Sequence, residues 1–182
     1  MNIRSFWGLS KNMKRNLKGF TLIELLIVIT IIAILASIVF VALDPLTRFR
    51  QARDSRRWAD ASALLSAIKV NQIDNGGFYL STTTAANYSV NSMVAGTVYM
   101  IGTVNTGCDK TCITSVSGGT SGCVDLSALV TGGYLGSVPI SPNGVTTWTS
   151  ATTGYTLQKD SNGIITVRAC EGEQGTEIKV AR

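Results

Sequence analysis

Four cysteines and one isolated carboxylate are the residues of this sequence that could most directly carry chemistry. The cysteines are Cys108, Cys112, Cys123 and Cys170. The carboxylate is Glu24, the single charged residue in an otherwise almost wholly apolar run at 20–43. The chain contains no histidine, which excludes a Ser-His-Asp triad, a Cys-His pair and an imidazole metal site.

The even number of cysteines favours two disulfides, because all four lie in a part of the chain that we expect in an oxidising compartment. A zinc site is the less favoured alternative: the C-x3-C spacing of Cys108 and Cys112 suits a metal, but Cys123 and Cys170 are not a closely spaced pair. Three disulfide pairings are possible. We favour Cys108–Cys112 with Cys123–Cys170, since the first closes a very short loop and the second ties the terminal strand to the rest of the domain. No cofactor is predicted.

Positive charge is concentrated at the N-terminus. Five of the 16 Lys and Arg residues lie in the first 18 positions, which contain no acid, and the remaining 11 are balanced by 11 acidic residues. The net charge of +5 therefore belongs to a short tail and not to a domain surface. Nucleic-acid binding needs clustered charge on a domain, so no nucleic-acid partner is predicted.

The apolar run at 20–43 is long enough to cross a membrane as a helix. At about 1.5 Å per residue, its 24 residues span roughly 36 Å. A secretory signal peptide is the alternative, but its apolar region is normally about 7–15 residues long and ends in a small-x-small cleavage site, which this run lacks. The basic tail favours a cytoplasmic N-terminus. We therefore predict a single-pass helix in the cytoplasmic membrane, with everything after residue 44 outside.

A second helical segment is predicted over 46–75, after a kink or break at Asp44, because Pro45 disfavours helical geometry in the residue before it. Its apolar residues recur at spacings of three, four or seven. They are Leu46, Phe49, Ala52, Ala59, Ala63, Ala67, Val70 and Ile73, joined in the second half by Leu64, Leu65 and Ile68. The second half is therefore expected to be buried, and Asn75-Gly76-Gly77 is expected to end the helix.

The first half of this segment is rich in arginine. The arginines are Arg48, Arg50, Arg53, Arg56 and Arg57. A solvated face is the expected role for any single one of them, and pairing with another chain is the alternative.

The remainder of the chain, 76–182, is rich in Gly, Ser and Thr and contains short β-branched runs. Strands are predicted at 97–104, 154–159 and 163–169. The last two are expected to form a hairpin, because Asn162-Gly163 is a strong turn signal. A short helix over 125–131, capped by Asp125, is also predicted. The fold class is therefore α+β.

Glu24 is unusual on physical grounds. A charge inside a membrane span costs at least a few kcal/mol, so it should have a partner, and the span contains no basic residue. The alternative is that Glu24 lies near the membrane interface and reaches back to water.

The string KGFTLIELLIVI at 18–29 resembles the processing site of type IV prepilins and the related pseudopilins. In that family a membrane-embedded aspartyl peptidase cuts after the glycine, here Gly19, and N-methylates the new first residue, here Phe20. The resemblance implies that Glu24 pairs with the free N-terminal amine of a neighbouring subunit during assembly. It also implies the family architecture, in which a long N-terminal helix, membrane-spanning in its first half, packs on a small antiparallel sheet.

Four regions follow from the predicted elements and the resemblance. They are a cleaved basic leader at 1–19, a transmembrane and polymerisation helix at 20–43, an amphipathic continuation at 44–75 and a globular head at 76–182.

The resemblance implies a structural subunit of a type IV pilus or pilus-like filament, used for adhesion, motility or DNA uptake, and not an enzyme. Its implied partners are copies of itself, the prepilin peptidase, the membrane assembly platform and, before assembly, membrane lipid. It would pass from the cytoplasmic membrane to a filament at the cell surface. Two alternatives stay open: a pseudopilin of a type II secretion or competence system, and a non-polymerising, membrane-anchored binding module.

Overall fold

The computed structural model describes residues 19–79, 89–104, 108, 112, 123–144 and 146–182. The predicted leader lies outside the described residues except for Gly19. The chain divides into two compact units between Asp44 and Pro45. Within the described residues, the first unit contains helix α1, and the second contains all the other helices and strands.

Helix α1 runs over Leu22–Leu43 and is followed by a break in the helical backbone. Asp44 has a left-handed conformation with φ of 37°. Pro45 explains this break, because its ring disfavours the right-handed helical region for the preceding residue. Aspartate is among the few non-glycine residues that tolerate the left-handed region. The interruption predicted at Asp44 is therefore confirmed.

Helix α2 runs over Pro45–Asp74. Proline suits the first position of a helix, since its missing N–H would have no partner within the helix. The helix ends at the predicted glycines: Gly76 and Gly77 have φ of 64° and 98°. The N–H of Gly77 donates to the carbonyl of Gln72 at 2.8 Å, which satisfies one of the carbonyls left open at the helix end.

The later turns of α2 bury one face. The buried apolar residues are Ala61, Leu64, Leu65, Ala67 and Ile68. Burial of the second half is therefore confirmed, but the predicted apolar stripe is only partly right. Leu46, Phe49, Val70 and Ile73 are exposed, because the rest of the unit covers the helix along the row through Leu64 and not along the predicted stripe.

Four antiparallel strands of the described residues form one sheet, in the order β1-β2-β3-β4. They are β1 (Val98–Met100), β2 (Tyr155–Lys159), β3 (Ile165–Ala169) and β4 (Lys179–Ala181). The predicted hairpin between β2 and β3 is confirmed, with Gly163 at φ of 81° in its turn. Strand β1 is shorter than predicted, and β4 was not predicted, because three residues are too few to show an alternating pattern.

The core of the second unit lies between α2 and the sheet. Tyr155, Leu157, Ile165 and Val167 of the central strands are fully buried and pack in one cluster with the buried row of α2. A short helix, α3 (Ser127–Thr131), also contributes Leu129 to this cluster.

The predicted cap of α3 is wrong in detail. The N-cap residue is Leu126, which has no side-chain cap, while the Asp125 carboxylate accepts the N–H of Ser127 at 2.8 Å. The helix therefore begins two residues later than expected, because Asp125 forms a local turn with its own backbone and not a cap.

The four cysteines form two disulfides, Cys108–Cys123 and Cys112–Cys170, with Cα–Cα distances of 5.3 and 4.4 Å. The pairing that we favoured from the sequence, Cys108–Cys112 with Cys123–Cys170, is wrong.

A parallel contact between two chain segments explains the observed pairing. Ile101 forms a parallel bridge with Val124, and the N–H of Cys123 donates to the carbonyl of Val104 at 2.9 Å. These bonds place Cys123 beside the segment that leads to Cys108. Sequence spacing carries no information about such a contact, because its two sides are about 20 residues apart in the chain.

Candidate functional site

The first turn of α1 is closed by two side chains that bond reciprocally. Thr21 is the N-cap, and its Oγ1 accepts the N–H of Glu24 at 3.3 Å. In return, Glu24 Oε2 accepts the N–H and the hydroxyl of Thr21 at 2.9 and 2.8 Å. This capping box satisfies two backbone donors that a helix start leaves open. Its signal in the sequence is Thr-x-x-Glu before an apolar run, yet Thr21 was absent from the predicted site.

The second oxygen of the same carboxylate stays available. In the part of the chain that the structure describes, Glu24 Oε1 accepts no hydrogen bond, whereas Oε2 accepts two. A carboxylate can accept about four hydrogen bonds, so capping its own helix leaves Glu24 able to bind a cation from another molecule. The position also favours a negative charge, because it lies at the positive end of the helix dipole.

The Gly19–Phe20 peptide bond lies in an exposed stretch just before the capped turn. Both residues are exposed, and the Phe20 side chain is 82% accessible. A Cβ added at Gly19 would meet no described atom within 4 Å. Nothing in the described fold therefore requires glycine at this position, and the bond is open to a peptidase.

The surface of α1 is apolar on all sides and uncovered. None of its residues is buried within the described structure, and the mean hydropathy of its most apolar 18 residues is 3.2. By length and composition this helix can cross a membrane. The hydroxyls of Thr30 and Ser37 donate to the carbonyls of Ile27 and Ile34 at 2.7 Å each. These polar groups are thus satisfied inside the helix, as a hydrocarbon environment requires.

In the second unit, a buried guanidinium joins α2 to two loops. Arg57 is 0% exposed. It donates to Asp54 at 2.7 Å and Glu173 at 2.9 Å, and it forms a longer ion pair with Glu171 at 3.4 Å. Ser141 Oγ and the Pro142 carbonyl accept at 3.1 and 2.9 Å. The five N–H groups of the guanidinium therefore all have acceptors, which is the condition for burying this charge at tolerable cost.

The carboxylates of this cluster are held in turn by backbone donors and by a second arginine. Asp54 Oδ2 accepts the N–H groups of Glu173 and Gln174 at 3.0 Å each. Arg53 forms a bidentate pair with Glu173. The hydrogen bonds from Arg53, followed by those from Arg57, lower the pKa of Glu173 to about 2, and the same pairing raises the pKa of Arg53.

This cluster corrects one expectation from the sequence. A solvated face was expected for any single arginine of the first half of α2, but Arg57 is buried and Arg53 is half-buried. Their partners Glu171 and Glu173 lie more than 110 residues away in the chain, and no local pattern indicates them. Arg48 and Arg50 remain exposed as expected.

The predicted residues therefore separate into two sets. Gly19, Phe20 and Glu24 lie together at the start of α1, where the Gly19–Phe20 bond is exposed and one carboxylate oxygen of Glu24 accepts no hydrogen bond from the described residues. The four cysteines belong to the second unit, where they form the two disulfides. In the described ranges, no three His, Cys, Asp or Glu side chains are grouped to hold a metal ion.

A family model covers the residues of the first set, and one relative matches a longer part of the chain. Residues 14–40 match the family model of the prokaryotic N-terminal methylation motif. Over 107 residues, the chain is 36% identical to the type IV wide pilus major component PilA4 of Thermus thermophilus. This aligned stretch covers 58% of this chain and 79% of the relative. No solved structure matches the chain significantly.

Proposed function

The chain belongs to the type IV pilin family, and we propose that it is a pilus subunit that is cut after Gly19, methylated at Phe20 and polymerised through α1. The observation that carries this proposal is the uncovered apolar surface of α1, which follows shortly after the exposed Gly19–Phe20 bond. The similar protein is a component of a pilus, which favours a pilus over a secretion system. A structural role without catalysis belongs to the same proposal.

Cleavage between Gly19 and Phe20 is supported by the geometry of that bond. The peptidase would reach it without unfolding α1, because Phe20 and Thr21 precede the helix. Cleavage also creates a new amine on Phe20, one residue before the cap. We propose that this amine is methylated by the same processing machinery.

Polymerisation follows from the surface of α1. While the helix crosses the cytoplasmic membrane, lipid covers its apolar side chains. Once it leaves, each apolar Å² in water costs about 25 cal/mol, so α1 must bury itself against copies of α1. The partners are therefore other copies of the chain, together with the peptidase and the membrane platform that extracts each subunit. The protein would begin as a single-pass membrane protein and end in a filament at the cell surface.

Glu24 is the residue that we assign to subunit pairing. Its Oε2 caps its own helix, and its Oε1 is free in the described structure to accept the Phe20 amine of a neighbour. Such a pair, removed from water, is weak evidence for stability, but it can fix the axial register of two subunits. Losing one partner leaves the other buried and unpaired, at a cost of about 3–5 kcal/mol.

The capping box gives a test that separates the two roles of this carboxylate. Glu24→Gln keeps an acceptor for the Thr21 N–H but removes the charge, whereas Thr21→Val removes the cap hydroxyl and keeps the charge. We expect Glu24→Gln and Glu24→Ala to be cleaved and anchored normally but to form few or no filaments. Thr21→Val should lose about 0.5–2 kcal/mol of helix stability and still assemble.

The measurement combines intact mass of the membrane-extracted protein with electron microscopy of sheared filaments. Normal filaments from Glu24→Gln would refute the charge pairing. If Thr21→Val also fails to assemble, the capping box and not the charge is what assembly needs.

A further inference from the structure

The first turn and a half of α2 is left uncovered by the rest of its unit. We call residues 45–50 the collar. Leu46 and Phe49 are 68% and 63% exposed, and Arg48 and Arg50 are exposed beside them. Burial on α2 begins only at Asp54. The collar therefore presents two large apolar side chains and two cations that the folded unit does not use.

The arginines of the collar differ from those that follow. Arg53 and Arg57 pair with carboxylates of the second unit, and Arg56 lies 3.8 Å from Asp60. Within the described structure, the one side-chain hydrogen bond of Arg48 is to the amide oxygen of Gln51, at 3.3 Å.

Arg50 has neither an ion pair nor a side-chain hydrogen bond in the described structure. Asp44, just before the collar, supplies one negative charge against the two collar arginines. The collar is thus left with a net positive charge.

The position of the collar in the chain points to its partner. The collar starts two residues after Leu43, the last residue of the apolar helix. Arg48 and Arg50 lie only about 4.5 and 7.5 Å along α2 from its first residue. The interfacial region of each leaflet is about 5–7 Å thick, and an arginine side chain extends toward it from its own stem. Exposed apolar side chains interleaved with cations are the composition that binds an anionic membrane surface.

We propose that the collar binds the headgroups of anionic phospholipids in the leaflet where the span ends, before the subunit is extracted. This inference rests on the proposed function, because it needs α1 to cross the membrane. Arg48 and Arg50 contact the lipid phosphates, while Leu46 and Phe49 enter the boundary between headgroups and acyl chains. Extraction into a filament must then break these contacts, so the lipid composition sets part of the cost of removing a subunit.

The test uses the full chain reconstituted in vesicles of phosphatidylcholine that contain a fixed share of phosphatidylglycerol, which gives the surface a negative charge. Spin-labelled phosphatidylglycerol and spin-labelled phosphatidylcholine are compared for their association with the protein. Each arginine near an anionic surface contributes about 1 kcal/mol, so the preference for phosphatidylglycerol should fall about fivefold per arginine at low salt. We therefore expect Arg48→Gln/Arg50→Gln to lose most of the preference that the collar contributes, and added salt to weaken it in the wild type.

The matched control is Arg56→Gln, which removes one exposed arginine from the same helix beyond the collar. It should leave the preference unchanged, and the basic leader contributes equally to all variants. An equal loss in Arg56→Gln, or no loss in Arg48→Gln/Arg50→Gln, would overturn the proposal. An unchanged lipid preference with shorter filaments would assign the collar to a contact between subunits instead.

Alkaline carbonate extraction distinguishes a failure of the proposed membrane anchor from a failure of the proposed lipid contact. A wild-type chain that leaves the bilayer would refute the membrane-anchored pilin and, with it, the lipid contact. A chain that stays in the bilayer without any effect of Arg48→Gln/Arg50→Gln would refute the collar contact alone.

Discussion

Replacing Arg57 with methionine should destabilise the second unit strongly. Methionine keeps an unbranched stem that can fill most of the same space, so the effect comes mainly from the lost polar contacts. The guanidinium is fully buried, and Asp54, Glu171 and Glu173 all depend on it. Removing one side of a buried ion pair costs about 3–5 kcal/mol, because Asp54 and Glu171 lose the ion pair that Arg57 makes with each of them, and only Glu173 keeps a second arginine partner, Arg53.

That cost is large against the total stability of a domain, which is about 5–15 kcal/mol. For a unit of this size, each kcal/mol shifts the melting temperature by about 3 °C, so Arg57→Met should lower it by about 10–15 °C. Arg57→Lys should fall in between, since an ammonium keeps the charge but has three donors where the guanidinium has five.

Thermal unfolding of the full chain in mild detergent can be followed by tryptophan fluorescence, to which the buried Trp148 contributes together with Trp7 and Trp58. The Trp148 side chain is 4% exposed and packs in the cluster that contains Cys108, Cys123 and Cys170, so unfolding will change its environment. The matched control is Arg50→Met, in which an exposed arginine of the same helix is lost, with an expected change within about 0.5 kcal/mol. If Arg57→Met melts at the same temperature as Arg50→Met, the buried cluster does not stabilise the unit and the reasoning fails.

Three further predictions concern maturation, the disulfides and pH. Gly19→Val should block cleavage, because a β-branched residue cannot take the backbone geometry that a peptidase can demand of glycine. The intact mass should then show a chain that is 19 residues too long, and normal cleavage would refute the assigned bond. Alkylation without reduction should label none of the four cysteines, and labelled thiols would contradict the observed pairs. Cys170→Ser should lower the free energy of unfolding, measured in urea, by about 2–5 kcal/mol. Because its arginine partners lower the pKa of Glu173 to about 2, its ionised form stabilises the unit above the unfolded-state pKa of about 4.5, and this contribution is lost as the pH falls through about 2. The stability of Glu173→Gln should therefore depend less on pH in that window, and parallel profiles for variant and wild type would argue against the pairing.

Several features of this protein could be predicted from the sequence because they are local. The proposed processing site lies in a contiguous string at 18–29 that matches a family motif, and the apolar run is recognised by its length and composition alone. The break at Asp44 follows from the ring of Pro45, and the end of α2 follows from the glycines after Asn75. The β2–β3 hairpin follows from Asn162-Gly163. Each of these depends on residues within a few positions of one another.

Features that depend on contacts between distant segments could be seen only in the tertiary structure. The disulfide pairing required the parallel bridge between Ile101 and Val124, and the burial of Arg57 required carboxylates 114 and 116 residues further along the chain. No local pattern distinguishes an exposed helical arginine such as Arg50 from Arg57, which lies at the centre of the buried cluster. Their difference arises only when folding brings opposite charges together and removes water from both, and that change of environment is absent from the order of the residues.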